Sequence, residues 1–274
     1  LGLAPNWYLF CAIITIILGA IDDIYYVSWK IKLLLQLCLA TYIAYIFWGH
    51  FDYISFYNFN ILLSPEILFI IFIVWFVGIY NAVNLLDGLD GLAGGFIFIL
   101  MVGLSISGDS YFFYLNNIFA IIILSFLVFN QRPAKIFMGD AGSLFLGFHI
   151  AVLPLLFSSS NSFSSSLFMT PFILISSFLI ADTSRVFFTR IINKKSPMTP
   201  DTIHFHHLIL HKSGSYLAAT GSIFLTTILS VIVAIFSFRT TLSSNFMLAH
   251  LSLITLFILI PPIKFYMPFI TQWV

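Results

Sequence analysis

The stretch N-A-V-N-L-L-D-G-L-D-G-L-A-G-G, residues 81–95, determines how the rest of this 274-residue sequence is interpreted. It places two amides, two carboxylates and four glycines directly after an apolar run that begins near Pro65. Ionisable groups at membrane depth are costly, so their presence there indicates function by default. The stretch therefore predicts a functional site in a membrane-embedded protein.

The composition of the chain excludes a soluble protein. Hydrophobic residues make up 61% of the sequence, charged residues 8%, and the mean hydropathy is +1.08. A soluble domain normally carries about 25% charged residues. The net charge of +1 and the lack of a basic cluster in the sequence give no indication of nucleic-acid binding.

The sequence predicts an all-α, polytopic membrane protein that forms a single multi-pass domain over residues 1–274. A spanning helix needs about 20 apolar residues, and about nine candidate transmembrane helices can be counted. The apolar runs are 7–21, 31–49, 65–84, 92–107, 112–129, 142–157, 168–187, 217–238 and 246–263. Because the chain starts at Leu1 and not at a methionine, we expect N-terminal residues to be missing from it.

The basic residues predict the orientation in the membrane. If nine spans alternate, ten of the eleven Lys and Arg residues fall on one face, and only Arg239 falls on the other. By the positive-inside rule the basic face is cytoplasmic. The opposite loops, 50–64, 108–111, 158–167 and 239–245, are expected to be plain connectors, with the serine-rich tract as a flexible polar turn. Six acidic residues lie on the predicted cytoplasmic face: Asp22, Asp23, Asp87, Asp90, Asp140 and Asp201.

Two motifs place carboxylates at the ends of spans. Adjacent Asp22 and Asp23 favour a bound cation or a shared proton, although an interfacial helix stop is the simpler alternative. Asn81, Asn84 and Asp87 are spaced three apart, which puts them on one broad face of a helix. We expect Asp90 to continue that face; the alternative for the whole stretch is a glycine-rich helix cap.

A third motif, F-N-Q-R-P-A-K-I-F-M-G-D-A-G-S, covers residues 129–143. Asn130 ends one span, and Asp140 opens the next. Asp140 is compatible with a simple N-terminal helix cap. However, Lys135 lies in the same loop, and the free N–H groups of a helix start suit phosphate.

The longest predicted cytoplasmic loop, 188–216, is rich in histidine. Four imidazoles, those of His204, His206, His207 and His211, are compatible with a transition metal, but a carboxylate-rich neighbourhood favours magnesium or manganese. Cationic or donor histidines that contact phosphate are the preferred interpretation. Asp182 is expected to pair with Arg185 or Arg190 on its own helix.

Together these motifs indicate phosphoryl transfer at a membrane surface. Carboxylate and amide oxygens suit Mg²⁺, and basic side chains neutralise phosphate charge. The expected substrates are a water-soluble nucleotide and a lipid phosphate. A secondary transporter that uses Asp87, Asp90 and Asp182 as ion sites is the alternative from another class, but transporters usually place such groups near the midplane on broken helices.

The four motifs, in this order, resemble those of the polyprenyl-phosphate N-acetylhexosamine-1-phosphate transferase family, also called glycosyltransferase family 4. The combination D-A-G-S with P-D-x-x-H-x-H-H-L-I is similar to the bacterial undecaprenyl-phosphate N-acetylglucosamine-1-phosphate transferase branch. The resemblance spans residues 22–211 and implies a Mg²⁺-dependent enzyme, with Mn²⁺ as a possible substitute.

The resemblance also implies roles for individual residues. The expected catalytic residues are Asp22, Asp23, Asp87 and Asp140. Metal ligands are expected among Asp140, Asn84 and Asp87. Substrate contacts are expected from Asn84, Asp90, Asn130, Lys32, Lys135, His204, His206 and His207.

The implied reaction moves N-acetylhexosamine-1-phosphate, with N-acetylglucosamine as the expected sugar, from a UDP-sugar to undecaprenyl phosphate. UMP leaves, and the lipid-diphosphate sugar initiates cell-envelope polysaccharide synthesis. The expected location is the bacterial inner membrane, with the active site facing the cytoplasm. The sequence does not decide whether the protein forms a homodimer. A truncated, inactive homologue remains the alternative.

Overall fold

The computed structural model describes residues 5–56, 59–106, 110–160, 166–196, 203–239 and 250. Within these ranges the chain is mostly helical, as predicted. The helices are α1 (Asn6–Tyr25), α2 (Trp29–Ile46), α3 (Pro65–Leu86), α4 (Leu92–Ile106), α5 (Ser110–Asn130), α6 (Gly139–Ser160), α7 (Thr170–Ile175), α8 (Ser177–Ile192), α9 (Phe205–Ser213) and α10 (Tyr216–Arg239).

Five of these helices are long and apolar enough to cross a membrane, namely α1, α2, α3, α6 and α10. Helices α4 and α5 contribute shorter apolar segments. The ninth predicted run, 246–263, lies outside the described residues except for His250. The chain is therefore a helical protein with several candidate membrane spans, and the count of nine stays a prediction.

The run 168–187, predicted as one span, is divided into α7 and α8. The helix is interrupted at Ser176, whose φ of −91° and ψ of 3° depart from helical values. Serine competes with the helical backbone for hydrogen bonds and favours helix ends. The pair Ser176-Ser177 supplies this signal inside an otherwise apolar run.

Two loops predicted as plain connectors instead contribute a three-stranded sheet, which the all-α prediction missed. The strands are β1 (Tyr53–Phe56), β2 (Phe59–Leu62) and β3 (Ser166–Phe168). Strand β1 pairs antiparallel with β2 and parallel with β3. Aromatic and β-branched residues favour strands, but such short segments give little signal. Of the serine-rich tract, residues 161–165 lie outside the described ranges.

Helix α6 lies at the centre of the bundle and packs against α1 and α3. Most of α6 is buried inside the protein, a larger share than in the other four candidate spans. Polar side chains reinforce both contacts, as is common between membrane helices. The Tyr8 hydroxyl lies 2.8 Å from His149 Nδ1, and the Trp75 indole donates to the Ala151 carbonyl at 2.9 Å.

Gly19 lets α1 approach the first turn of α6. A Cβ atom at this position would overlap the Ala141 backbone. Small residues allow membrane helices to pack closely in this way. The contact positions the C-terminal end of α1 directly beside the start of α6.

Replacing Gly19 by Ala should therefore push these two helices apart. We expect Gly19→Ala to lower the free energy of unfolding by about 1–3 kcal/mol, the usual cost of overpacking. The measurement is thermal unfolding of the purified protein in detergent. Gly78→Ala in α3 is the matched control, because a Cβ atom there meets nothing within 4 Å. Equal stability of the two variants would contradict this packing.

Candidate active site

The predicted polar motifs meet at one end of the helical bundle. Consecutive long helices run in opposite directions, so the C-terminal ends of α1, α3 and α5 lie beside the N-terminal ends of α2, α4 and α6. The three-stranded sheet follows α2 and α6 and precedes α3, and it therefore lies at the other end. The structure thus brings together residues that are more than a hundred positions apart in the sequence.

Lys32 connects two of the carboxylates at this end. Its Nζ atom donates to Asp22 Oδ2 at 2.7 Å and to Asp140 Oδ2 at 3.1 Å. The second oxygen of Asp22, Oδ1, accepts the Val27 N–H at 2.5 Å. A single ammonium group therefore joins the end of α1, the start of α2 and the first turn of α6.

Asp23 holds the start of α6. Its Oδ1 accepts the N–H of Asp140 at 2.7 Å, and its Oδ2 accepts the N–H of Ala141 at 3.1 Å. A carboxylate at this position also interacts favourably with the helix dipole. The cap of α6 is thus supplied by α1, and the interpretation of Asp140 as a simple cap is wrong; its carboxylate faces Lys32 instead.

Asp87 follows the last residue of α3 and is half-buried. Burial, together with the smaller effect of the negative charges of Asp140 and Asp23, raises the pKa of its carboxyl group to about 6. Among the described residues the structure gives this carboxylate no hydrogen bond. Asp87 therefore brings a negative charge to this end of the bundle that no cation in the described ranges balances directly.

The structure corrects the predicted polar face of residues 81–90. Helix α3 ends at Leu86, so only Asn81 and Asn84 lie on it, and Asp90 falls in the following turn. The Asn84 amide donates to Ser143 Oγ at 3.2 Å. Asn84 is therefore positioned against the first turn of α6, on the same side as Asp140.

The carboxylates suit a hard divalent cation, but the described residues do not enclose one by themselves. Within those residues, no three His, Cys, Asp or Glu side chains lie close enough together to hold a metal ion. Mg²⁺ is usually bound by one or two carboxylates and completed by water and substrate phosphate oxygens. Asp87 and Asp140, with the amide oxygen of Asn84, fit such an open site.

Asp90 and Asn130 fasten the turn after α3 to the loop between α5 and α6. Asn130 is buried; its Oδ1 accepts the Gly91 N–H at 2.9 Å, and its amide donates to the Ile136 carbonyl at 2.8 Å. Asp90 Oδ2 accepts the Ala134 N–H at 3.2 Å. Both residues, which were predicted to contact substrate, thus hold the turn and the loop together by hydrogen bonds to the backbone.

The histidine-rich segment packs against Gly88, which lies in the turn after α3. A Cβ atom at Gly88 would lie 2.6 Å from His206 Nε2 and 3.2 Å from His207 Nε2. Burial, together with the smaller effect of the neighbouring His207, lowers the pKa of His206 to about 3. The His206 ring is therefore neutral at physiological pH, which agrees with a donor and not a cationic histidine at this position; its contact with phosphate stays a prediction.

His204 belongs to a different group of contacts. Its Nδ1 lies 2.8 Å from Asp182 Oδ2, and Arg185 Nη2 donates to Asp182 Oδ1 at 2.6 Å. The predicted pairing of Asp182 with Arg185 is confirmed. The link from Asp182 to His204 was missed, because the two residues are 22 positions apart and no local pattern connects them.

One predicted site residue, Lys135, remains apart from these contacts. Lys135 is exposed in the loop before α6, and the described part of the chain offers its ammonium group no ion pair. Asp201 lies outside the described residues. Conversely, sequence reasoning missed Gln36, which is buried and exchanges hydrogen bonds of 3.1 Å and 2.7 Å with the Asn81 amide. The signal was a lone amide one helical turn after Lys32.

Comparisons with known proteins identify the family. A profile described as "Glycosyl transferase family 4" matches residues 6–158, more than half of the chain. The chain belongs to glycosyl transferase family 4. The match includes the paired aspartates, the 81–95 stretch and Asp140, and the predicted family is confirmed.

Curated relatives of this family member carry transferase names. The chain is 36% identical over 208 residues to a probable undecaprenyl-phosphate N-acetylglucosaminyl 1-phosphate transferase of Bacillus subtilis, covering 73% of this chain and 56% of that protein. It is 28% identical over 213 residues to an undecaprenyl-phosphate alpha-N-acetylglucosaminyl 1-phosphate transferase of Salmonella typhi, covering 74% and 57%.

A shorter match connects the chain to another transferase of the same kind. The chain is 53% identical over 60 residues to a phospho-N-acetylmuramoyl-pentapeptide-transferase of Fervidobacterium nodosum, covering 21% of this chain and 19% of that protein. The chain spans little more than half the length of the two relatives with the longer matches.

The role of Asp23 at the start of α6 can be tested by stability. Asp23→Ala leaves two N–H groups without their acceptor, and we expect the free energy of unfolding to fall by about 1–2 kcal/mol, as for loss of a helix cap. Asp23→Asn should lose less, because its amide oxygen still accepts one bond. Thermal unfolding in detergent provides the measurement.

The control for this comparison is Asp52→Ala, since Asp52 is exposed at the opposite end of the bundle. We expect its unfolding midpoint to match that of the unmodified protein. If Asp23→Ala unfolded at the same temperature as Asp52→Ala, Asp23 would not hold α6.

Proposed function

We propose that this protein transfers N-acetylglucosamine-1-phosphate from UDP-N-acetylglucosamine to undecaprenyl phosphate and releases UMP. The observation that carries the proposal is the cluster of Asp22, Lys32, Asp140 and Asp87 at one end of an apolar bundle. The names of the Bacillus subtilis and Salmonella typhi relatives support the choice of lipid and sugar. The product would initiate cell-envelope polysaccharide synthesis.

We place the reaction at the cytoplasmic face of a bacterial inner membrane. Five basic residues lie at helix ends or in loops at the same end of the bundle as the site: Lys30, Lys32, Arg132, Lys194 and Lys195. Positive charges flank the cytoplasmic ends of membrane helices. A site at this interface meets a soluble nucleotide sugar from one side and a lipid phosphate from the other.

The proposed chemistry exchanges one phosphoanhydride for another. An oxygen of the lipid phosphate attacks the phosphorus that carries the sugar, and a new P–O bond forms. The bond from that phosphorus to the bridging oxygen breaks, and UMP leaves with the electron pair. Because the bonds broken and formed are alike, the reaction should be close to thermoneutral and reversible.

The resident metal in this proposal is Mg²⁺, with Mn²⁺ as a substitute, held by Asp87, Asp140 and Asn84. When bound, it would neutralise the charge of the phosphate groups. The fit rests on the donor set: two carboxylates and an amide oxygen, with an excess of negative charge around Asp87. This chain's Lys32 adds a fixed cation beside the same carboxylates.

Asp22 and Asp23 act in this proposal by positioning. Both oxygens of each carboxylate already accept hydrogen bonds, from Val27 and Lys32 for Asp22, and from the start of α6 for Asp23. A general base is also unnecessary, because a phosphate monoester with a second pKa near 6 is mostly dianionic at neutral pH. The pair therefore holds Lys32 and Asp140 in place for the reacting groups.

The remaining predicted contacts are assigned to the nucleotide sugar. Neutral His206 and its neighbour His207 lie against Gly88, next to Asp87, where they can donate hydrogen bonds to phosphate or sugar oxygens. Asp90 and Asn130 shape the adjoining turn. We assign this turn to the nucleotide and exposed Lys135 to a phosphate contact at the rim of the site.

The direct experiment is release of UMP by the purified full-length protein in detergent. With UDP-N-acetylglucosamine, we expect release only when undecaprenyl phosphate and Mg²⁺ are both present. Release from UDP-N-acetylmuramoyl-pentapeptide in its place would assign the protein to the activity named for the Fervidobacterium nodosum relative. No release from any UDP-sugar would refute the proposed function and leave the transporter alternative, which the transferase names of the relatives do not favour.

Asp140→Asn tests the metal centre. It removes one charge and keeps the side-chain volume, so we expect the protein to insert and fold while UMP release falls below detection, by at least about 10³-fold. A loss of this size is typical when a residue that stabilises transition-state charge is removed. Asp52→Asn makes the same chemical change at the opposite end and should keep full activity. A rate for Asp140→Asn like that of the unmodified protein would remove Asp140 from the centre.

The affinity for the metal should depend on pH. Asp87 must lose its proton to bind a cation, and its pKa is raised to about 6. Below pH 6 the carboxyl group is mostly protonated, so Mn²⁺ should bind about tenfold more weakly at pH 5 than at pH 7.5. Electron paramagnetic resonance titration of free Mn²⁺ measures this affinity.

Asp87→Asn provides the matched control, since it cannot titrate and should bind Mn²⁺ weakly at both pH values. A transition in the unmodified protein centred near pH 4 would mean that Asp87 is not the group that competes with the metal.

A further inference from the structure

Asp182 is a buried carboxylate that the proposed chemistry does not use. It lies in α8, is only 4% exposed, and accepts three hydrogen bonds. The donors are Arg185 Nη2 at 2.6 Å, His204 Nδ1 at 2.8 Å and the Phe205 N–H at 3.1 Å. An ionised carboxylate only accepts hydrogen bonds, so Nδ1 of His204 carries the proton in this contact.

Two of these donors belong to the beginning of α9. The first N–H groups of a helix have no partner within the helix, and Asp182 accepts that of Phe205, the first residue of α9. Arg185 Nη2 also donates to the Ile203 carbonyl at 2.7 Å. The chain is therefore held to α8 at three consecutive residues, 203–205.

A ring contact strengthens this attachment. Phe205 is buried and meets Phe178 of α8 edge-to-face, with ring centroids 6.0 Å apart. After this anchor, α9 turns the next two residues, His206 and His207, toward Gly88. The position of these two imidazoles beside Asp87 thus depends on how the start of α9 is fixed to α8.

Both ring nitrogens of His204 are enclosed by the protein. It is 4% exposed, its Nδ1 is used by Asp182, and its Nε2 is buried without a hydrogen-bond partner in the described part of the chain. Its ring stacks against that of His206, with centroids 5.9 Å apart and an angle of 15°. His206 is buried as well, at 1% exposed, but its Nε2 faces Gly88 beside Asp87, whereas His204 is bound to Asp182.

We propose that Asp182 and His204 form a positioning pair, which fixes the start of α9 so that His206 and His207 face the turn after α3. His204 does not contact substrate and acts through its Nδ1–H bond to Asp182. This inference rests on the proposed function, because it assigns the nucleotide sugar to His206 and His207.

Three substitutions at position 204 distinguish the role of Nδ1 from that of Nε2. The side-chain nitrogen of Asn is two bonds from Cβ, like Nδ1 of His, so His204→Asn can keep the donor to Asp182. The side-chain nitrogen of Gln is three bonds from Cβ, like Nε2, so His204→Gln keeps a polar group only at the other position. Ser begins helices as well as Asn does but has no atom at either position, so His204→Ser controls for helix capping.

We expect kcat/KM for UDP-N-acetylglucosamine to be at least about tenfold higher for His204→Asn than for His204→Gln or His204→Ser. A hydrogen bond to a charged group contributes a factor of about this size, and displacement of reacting groups by about 1 Å can cost about 10²-fold. The Mg²⁺ concentration for half-maximal activity should be the same in all three variants, because Asp87 and Asp140 are untouched. If His204→Gln were the most active, His204 would contact substrate through Nε2, and the proposal would be overturned.

Hydrogen–deuterium exchange of the 203–213 segment gives a second readout that needs no activity. Exchange should be faster in His204→Gln and His204→Ser than in His204→Asn, because the start of α9 is released from Asp182. Equal exchange in the three variants would overturn the positioning pair. If the unmodified protein releases no UMP, the proposed function fails, and the exchange rates alone still decide whether Asp182 and His204 fix α9.

Discussion

The site depends on the balance of charge at one end of an apolar bundle. Four carboxylates, those of Asp22, Asp23, Asp87 and Asp140, come from three helix ends, and like charges at such separations oppose one another. Lys32 compensates two of them directly, and the N–H groups of α6 compensate Asp23. Within the described residues no cation compensates Asp87 directly, which supports its proposed role as a metal ligand, and burial is the main cause of its raised pKa.

The site has two parts, the carboxylates and the histidines, and different helices hold each part in position. The carboxylates lie on long helices whose positions are fixed by close packing of α1 and α3 around α6. The histidines lie on a short helix that would be marginal alone and is held by α8 through Asp182. The turn after α3 joins the parts, because Asp87 belongs to one and Gly88 contacts the other. A reaction between a lipid and a soluble sugar nucleotide suits such a junction.

Much of this arrangement could be predicted from the sequence, and the physical reason is the membrane. Long apolar runs leave few positions for polar residues, so Asp22, Asp87 and Asp140 stand out, and alternation of spans brings them to one end. The contacts between these residues could not be predicted. Nothing local indicates that Asp23 caps α6, or that Asp182 bonds His204, because both pairings are created by packing of distant segments. The break at residue 176 and the short strands were missed because their signals are only a few residues long.

The most direct test of the account is to follow the phosphorus that carries the sugar. UDP-N-acetylglucosamine labelled with ³²P at that phosphorus is incubated with the purified protein, undecaprenyl phosphate and Mg²⁺, and the lipid and aqueous phases are separated. The account predicts label in a lipid diphosphate and unlabelled UMP in water. Label that stays in water as UDP, with the sugar alone on the lipid, would contradict it, because the carboxylate cluster would then serve sugar transfer and not phosphoryl transfer.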